Sequence, residues 1–230
     1  PLNVAPVRFA SWMGGDRDGN PNVTHKVTQE VLWLSRWKAG ERYLLDIEIR
    51  RWELSIQQCS PELADALGHF HAEPYREYLR DTRERLKATR DWLAAKLQGK
   101  DADDRLVIKN KDELLQPLLL CYRSLTACQL SDIANGKLLD LIHRVNCFGI
   151  ELLKLDIRQE SGRHRQAISA ITEYLGLGNF ETWTEQARQN FLLQELQSKR
   201  PLLPKFMQEP AQSLIQHPDV QEVFATMRTL

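Results

Sequence analysis

The sequence predicts a mainly α-helical chain with two short strands, and three observations carry that expectation. Apolar residues recur at helical spacing along most of the 230 residues. Two brief apolar runs, Val4 to Phe9 and Leu152 to Arg158, are too short for helices and fit buried strands. Each run leads into a charged loop. The order therefore reads strand and loop (1–24), long helical excursion (25–150), strand and loop (151–165), then helices (166–230).

The first loop, Ser11 to Thr24, holds three glycines, a proline and two asparagines around Asp16, Arg17 and Asp18. Such a composition specifies backbone shape, because Gly reaches dihedrals closed to other residues and Pro fixes its own φ. Thr24 is the expected N-cap of a helix reaching about Gln57. Its apolar positions are Val27, Val31, Leu34, Leu45, Ile49, Trp52 and Ile56. Ser60-Pro61 reads as N-cap and N1 of a short helix. Pro74 opens a long one with Tyr75, Leu79, Leu86, Leu93 and Leu97 on one stripe. Two long amphipathic helices in succession predict an antiparallel pair.

Asn110 and Glu113 have capping-box spacing and start a helix to about Gln129. Another is expected from about Gly136 to Phe148, closed by Gly149. After the second strand, helices are expected from about Gly162 to Leu175 and from Thr184 to Gln197, with Pro201, Pro204 and Pro210 interrupting the tail. A strand, a helical crossover and a second strand favour parallel pairing. Two strands make no stable sheet alone, so the chain reads as a piece of a longer polypeptide.

Lys+Arg and Asp+Glu total 31 each, so the formal net charge is zero. That balance argues against a dominant nucleic-acid or acidic-membrane surface and leaves room for a local basic pocket. No apolar run approaches the roughly 20 residues that span a bilayer. Cys59, Cys121, Cys128 and Cys147 form no C-x-x-C pair and read as reduced thiols. His25, His69, His71, His143, His164 and His217 have no nucleophile or metal-ligand spacing, and His69 and His71 cannot share one helix face. Trp33, Trp37 and Trp52 read as packing residues.

Arg17 and Arg158 are the candidate functional residues. Both follow a predicted strand, at the edge where α/β proteins place their sites. Parallel strands would bring both guanidinium groups to one rim, where their planar forks suit a multiply charged anion. Salt bridges to Asp16 or Asp18, and to Asp156 or Glu160, are the structural alternative. The spacing of those acids matches no EF-hand, which favours supporting roles over metal ligation. Trp12 abuts the loop and either walls a pocket or is buried with it.

Phe9 to Pro21, Phe-Ala-Ser-Trp-Met-Gly-Gly-Asp-Arg-Asp-Gly-Asn-Pro, closely resembles the G-G-D-R-D-G-N-P loop of phosphoenolpyruvate carboxylase. Leu155-Asp156-Ile157-Arg158-Gln159-Glu160-Ser161 resembles that family's L-D-I-R-Q-E-S element. The resemblance runs over essentially the whole chain but only a fraction of a full-length enzyme. It implies a fragment of a (β/α)8-type barrel with a long antiparallel helical excursion. The implied enzyme is a carbon–carbon lyase that fixes carbon dioxide, converting phosphoenolpyruvate and bicarbonate to oxaloacetate and phosphate with Mg²⁺ or Mn²⁺. It also implies a cytoplasmic, allosteric homotetramer that feeds the tricarboxylic acid cycle and binds neither nucleic acid nor membrane.

Carried over by position, Arg158 resembles the arginine that binds phosphate or carboxyphosphate, and Arg17 the loop arginine needed for carboxylation. Trp12, Gly14, Gly15, Asp16, Asp18, Asn20 and Gln159 resemble pocket or loop-shaping residues. The family's T-A-H-P-T histidine is expected before Pro1. Its mobile loop, metal ligands and aspartate-inhibitor site are expected after Leu230. The isolated chain is therefore expected to be inactive. The competing expectation is a non-enzymatic helical assembly or scaffold module whose arginines form structural salt bridges.

Overall fold

The computed structural model describes residues 2, 5, 7–199, 202 and 217–230. Val4, Pro201, Pro204 and Pro210, named above, lie outside them. The chain divides into two compact units, Pro1–Ser11 with Glu30–Lys154 and Trp12–Gln29 with Leu155–Leu230. No described helix is long and apolar enough to cross a membrane.

In the first unit the helical pattern forms α1 (His25–Glu53, which starts in the second unit), α2 (Pro61–Leu67), α3 (Pro74–Leu97) and α4 (Lys111–Ala127). Capping explains both ends of α2 and the start of α4. Ser60 accepts the Leu63 N–H at 3.3 Å with Pro61 at N1, and Gly68 closes α2 at φ 77°. Asn110 accepts the Glu113 N–H at 3.1 Å. The reciprocal half of the capping box is altered: Glu113 takes the Lys109 N–H at 3.3 Å and the Asn110 side-chain amide at 2.7 Å.

The helix expected from Gly136 begins later. A single turn, α5 (Ser131–Ile133), runs into a π turn at Ala134–Leu138, and α6 spans Leu139–Phe148. Gly136 breaks the regular path with φ −81° and ψ −136°. Gly149, at φ 59°, ends α6 as expected.

The face that α1 buries differs from the predicted stripe. Ala39, Tyr43 and Ile47 are buried, with Leu54 just past the helix end, whereas Leu34, Leu45, Ile49 and Trp52 are exposed. The buried face wins because it combines apolar volume with satisfied polar groups. The Tyr43 hydroxyl donates to the Gly149 carbonyl at 2.7 Å, and Asp46 pairs with Arg144. Trp52 lies outside the core, with the Arg76 guanidinium over its ring at 4.5 Å. The stripe predicted for α3 is buried at Tyr75, Leu79, Leu86 and Leu93. Between the two helices, Arg83 Nε donates to Glu48 at 2.8 Å and Arg51 Nε to the Arg76 carbonyl at 3.1 Å.

β1 is Ala10–Ser11 and β2 is Lys154–Leu155, paired in parallel as one two-stranded sheet. The strands depart from expectation: β1 falls just after the Val4 to Phe9 run, with Val7 to Phe9 not in a strand, and β2 covers only part of the Leu152 to Arg158 run. Leu152 takes φ 64° and the Leu153 N–H turns back to the Glu151 carbonyl at 2.8 Å, which cuts off the first part of the second predicted strand.

In the second unit α7 (Ser161–Tyr174) is followed by a 3₁₀ turn at Phe180–Thr182, α8 (Glu185–Gln197) and α9 (Pro218–Thr229). Ala167 of α7 packs with Val220 and Val223 of α9, and Arg163 reaches Asp219 at 3.2 Å. All four cysteines are free thiols, and full burial pushes Cys121 up to about 12.

One buried hydroxyl ties three elements of the first unit together. Ser124 Oγ, on α4, accepts the Ser60 N–H at 2.9 Å and meets the Tyr75 hydroxyl at 2.8 Å. Ser124→Ala strands both partners in a dry core and is expected to cost about 1–3 kcal/mol. Urea unfolding checks this; a change within about 0.5 kcal/mol, the usual range of a neutral surface substitution, would contradict it.

Candidate functional site

The glycine-rich loop, within the second unit from Trp12 onward, is built as three consecutive turns. The Gly15 and Asp16 N–H groups both donate to the Trp12 carbonyl, at 2.9 and 3.0 Å. Asn20 N–H returns to the Arg17 carbonyl at 3.2 Å and Val23 N–H to the Asn20 carbonyl at 3.3 Å. Gly14 (φ 81°) and Gly19 (φ 68°) occupy the third position of their turns, where a positive φ favours glycine. Asp16 and Asn20 brace these turns, accepting the Asp18 and Asn22 N–H groups at 3.1 Å each. Asp18 and Asn20 themselves are exposed.

The second loop locks onto the first by backbone. Arg158 N–H donates to the Gly15 carbonyl at 2.9 Å, and Arg17 N–H donates to the Arg158 carbonyl at 3.0 Å. Asp16 and Arg158 are thereby paired in a parallel bridge. Gly15 is required by this approach: a Cβ there would sit 2.2 Å from the Asp156 carbonyl oxygen and 3.1 Å from Leu155 Cγ.

That register decides where the two arginines go. Side chains of extended backbone alternate, so Arg158 shares a side with Asp16 while Arg17 takes the other. Arg17 is 7% exposed, against 54% for the Arg158 side chain. The structure thus brings the two backbones together without bringing the two guanidinium groups to one pocket. The expectation of two converging forks gives way to a division of position.

Arg17 is a buried cation held by neutral acceptors. Its Nη1 donates to the Gly15 carbonyl at 3.2 Å and its Nη2 to the Thr28 hydroxyl. Thr28 Oγ1 in turn donates to the Gly14 carbonyl at 2.6 Å. Burial pulls the Arg17 pKa down and the nearby charge of Glu222 opposes the shift. The guanidinium stays protonated. Glu222, on α9, also accepts the His25 N–H at the start of α1 and contacts His25 Nδ1 at 2.6 Å. Arg17 and Gln159 line a cavity of about 10 Å³ with Ile157, His164, Val223, Thr226 and Met227. Arg17 Nε and Gln159 Oε1 are buried there without a partner among the described residues.

Arg158 faces outward. Its guanidinium lies 5.5 Å from the centroid of the Trp12 ring, within cation–π range. Trp12 is 59% exposed, so it is not buried with the loop. Asp16 and Asp156 stand 3.9 and 4.0 Å away, too far for direct hydrogen bonds. Those acids bias the fork while leaving its N–H donors available. Among the described residues, no three His, Cys, Asp or Glu side chains gather to hold a metal ion.

Thr28, Glu222 and Thr226 complete this site and were not anticipated. Thr28 had a faint signal, one helical turn after Thr24 and so facing the loop. Glu222 lies 197 residues from His25, a separation no local pattern can bridge.

The chain matches known proteins over its whole length. The family model described as phosphoenolpyruvate carboxylase matches residues 1–230. The chain belongs to the phosphoenolpyruvate carboxylase family. It is 80% identical, over its whole length, to the phosphoenolpyruvate carboxylase of Acinetobacter baumannii, of which it covers 26%. It is 78% identical to that of Acinetobacter baylyi, again over its whole length and 26% of the relative. To the Escherichia coli O81 phosphoenolpyruvate carboxylase it is 51% identical across 93% of the chain and 24% of the relative. The chain thus spans about a quarter of the phosphoenolpyruvate carboxylases it matches.

Two substitutions test the loop geometry. Gly15→Ala forces the two loops apart and is expected to cost about 3 kcal/mol, the upper range for overpacking. Thr28→Val keeps the volume but strips Arg17 and Gly14 of a partner, at about 1–3 kcal/mol. Amide hydrogen exchange reports both: protection of the Arg17 and Arg158 N–H groups should fall. Unchanged protection in Gly15→Ala would refute the close approach.

Proposed function

We propose that this chain supplies the anion-binding loops of a phosphoenolpyruvate carboxylase, which converts phosphoenolpyruvate and bicarbonate to oxaloacetate and phosphate. One observation carries this reading: Arg158 holds a half-exposed guanidinium against Trp12, flanked but not consumed by Asp16 and Asp156. Its N–H donors suit the oxygens of a phosphoryl group or carboxyphosphate, bound through paired charge-assisted hydrogen bonds. Negative charge moves from phosphoenolpyruvate to an enolate and carboxyphosphate as bicarbonate attacks phosphorus. A fixed cation aimed at that charge stabilises the transition state without reorganising.

Arg17 serves the same chemistry indirectly. It fastens Gly15 and Thr28, and so fixes the loop that carries Asp16 and Trp12. Gln159 lies beside Arg17 in the small cavity, which makes it a positioning residue. Gly14, Gly15, Asp18 and Asn20 shape the turns. The structural reading of the arginines is favoured for Arg17 alone, because its contacts are internal.

The broader setting is part of the same proposal. β1 and β2 are two strands of a (β/α)8 barrel, and residues 25–150 form its antiparallel helical excursion; the parallel pairing and the α1–α3 contacts support this. The Mg²⁺ or Mn²⁺, which stabilises the enolate when bound, takes its ligands from sequence outside this chain. The whole enzyme is a cytoplasmic, allosteric homotetramer, and the isolated chain is inactive.

Arg158→Lys in the full-length enzyme tests the reading. Lys cannot reproduce the planar fork, and kcat for oxaloacetate is expected to fall about 10²–10³-fold. Near-normal turnover in a folded variant, or oxaloacetate made by the isolated chain, would overturn it.

A further inference from the structure

The first unit contains a cavity of about 510 Å³ among Ala5, Arg8 and Phe9, the start of α4, the end of α6 and the start of β2. Its charge is one-sided. Arg8, Lys109, Lys111 and Lys154 line it, against a single carboxylate, Glu151. In a chain of zero net charge this is a marked local excess of cations.

These cations are poorly engaged. Lys109 reaches Asp104 only at 3.5 Å, and Lys111 reaches the Asn146 amide oxygen at 3.4 Å. Among the described residues, Arg8 and Lys154 form no ion pair. Four like charges around one hollow repel each other, and an anion between them removes that repulsion. The same hollow takes in the first turn of α4, with Asn110 and Lys111 in its wall. Asn110 already caps the Glu113 N–H there, and the helix start adds only the positive end of its dipole. The remaining wall is aromatic: Phe9 and Phe148 stack with centroids 5.4 Å apart, and Phe9 stays 51% exposed.

We propose that this cavity is a binding site for a small polyanion, a metabolite bearing two or more phosphate or carboxylate groups. The size decides for a small molecule, because about 300–1,000 Å³ is the range of such pockets. Arg8 and Lys154 hold the anionic groups as a pair from the two strand entrances, Lys109 and Lys111 close the other side, and Phe9 takes the carbon skeleton. Arg8 precedes β1 and Lys154 opens β2, whereas Arg17 and Arg158 follow their strands, so the site uses none of the residues assigned above to the carboxylation loops.

Calorimetric titration of the protein with pyrophosphate and, separately, citrate tests this. Saturable one-to-one binding is expected for at least one probe, weakening as salt rises, and the tighter probe identifies the anionic group. The double variant Arg8→Gln/Lys154→Gln should weaken it at least about tenfold, the loss of one good charge-assisted contact. Lys154→Arg should retain binding, which separates charge from fold. Arg158→Gln should leave this binding unchanged. Absence of saturable binding at millimolar probe would overturn the proposal. So would binding that survives the double variant or is lost in Arg158→Gln.

Discussion

The exchange of two backbone hydrogen bonds between Arg158 and the Gly15–Arg17 segment is the constraint on which the candidate site depends. It fixes a register of one residue, and that register sorts the side chains. Asp16 and Arg158 fall on one side and Arg17 on the other. A slip by one residue would place Arg158 on the same side as Arg17. Gly15 enforces the register by allowing a contact that any side chain would block. The three turns of the loop then follow from Gly14, Gly19 and the two side-chain braces at Asp16 and Asn20.

The two arginines illustrate how environment divides labour between identical groups. Arg17 sits among carbonyls and a threonine hydroxyl, away from water, where removing a partner leaves a buried charge under-solvated. Its weight is structural, and it acts on the site through the loop. Arg158 is half in solvent, and its ion pairs near 4 Å contribute little stability. Weak engagement is what a ligand-binding group requires, because its donors need not be taken from other partners.

Much of the fold was legible because its signals are local. Ser60-Pro61, Pro74, Asn110 and Gly149 marked helix ends through caps and backbone preferences that operate within a few residues. What failed was long-range. Leu45, Ile49 and Trp52 have the right spacing, yet α1 buries the stripe through Tyr43 and Ile47, a choice made by distant partners such as Gly149 and Arg144. The second strand was overestimated because composition cannot reveal the turn at Leu152, and the first was placed too early because its pairing is set by the Lys154 N–H to the Phe9 carbonyl, a long-range contact. At the site, the loop residues and both arginines could be picked from the motifs. Their opposite facing could not, since register is a property of two segments about 140 residues apart (Asp16 and Arg158) and not of either alone.

The most direct test of this division is a crystal structure of an intact enzyme containing this chain, bound to an analogue of phosphoenolpyruvate. The account predicts Arg158 in paired hydrogen bonds to the phosphoryl oxygens, with Arg17 still on the Gly15 carbonyl and the Thr28 hydroxyl. An anion held by Arg17, with Arg158 turned away among its neighbouring acids, would contradict it.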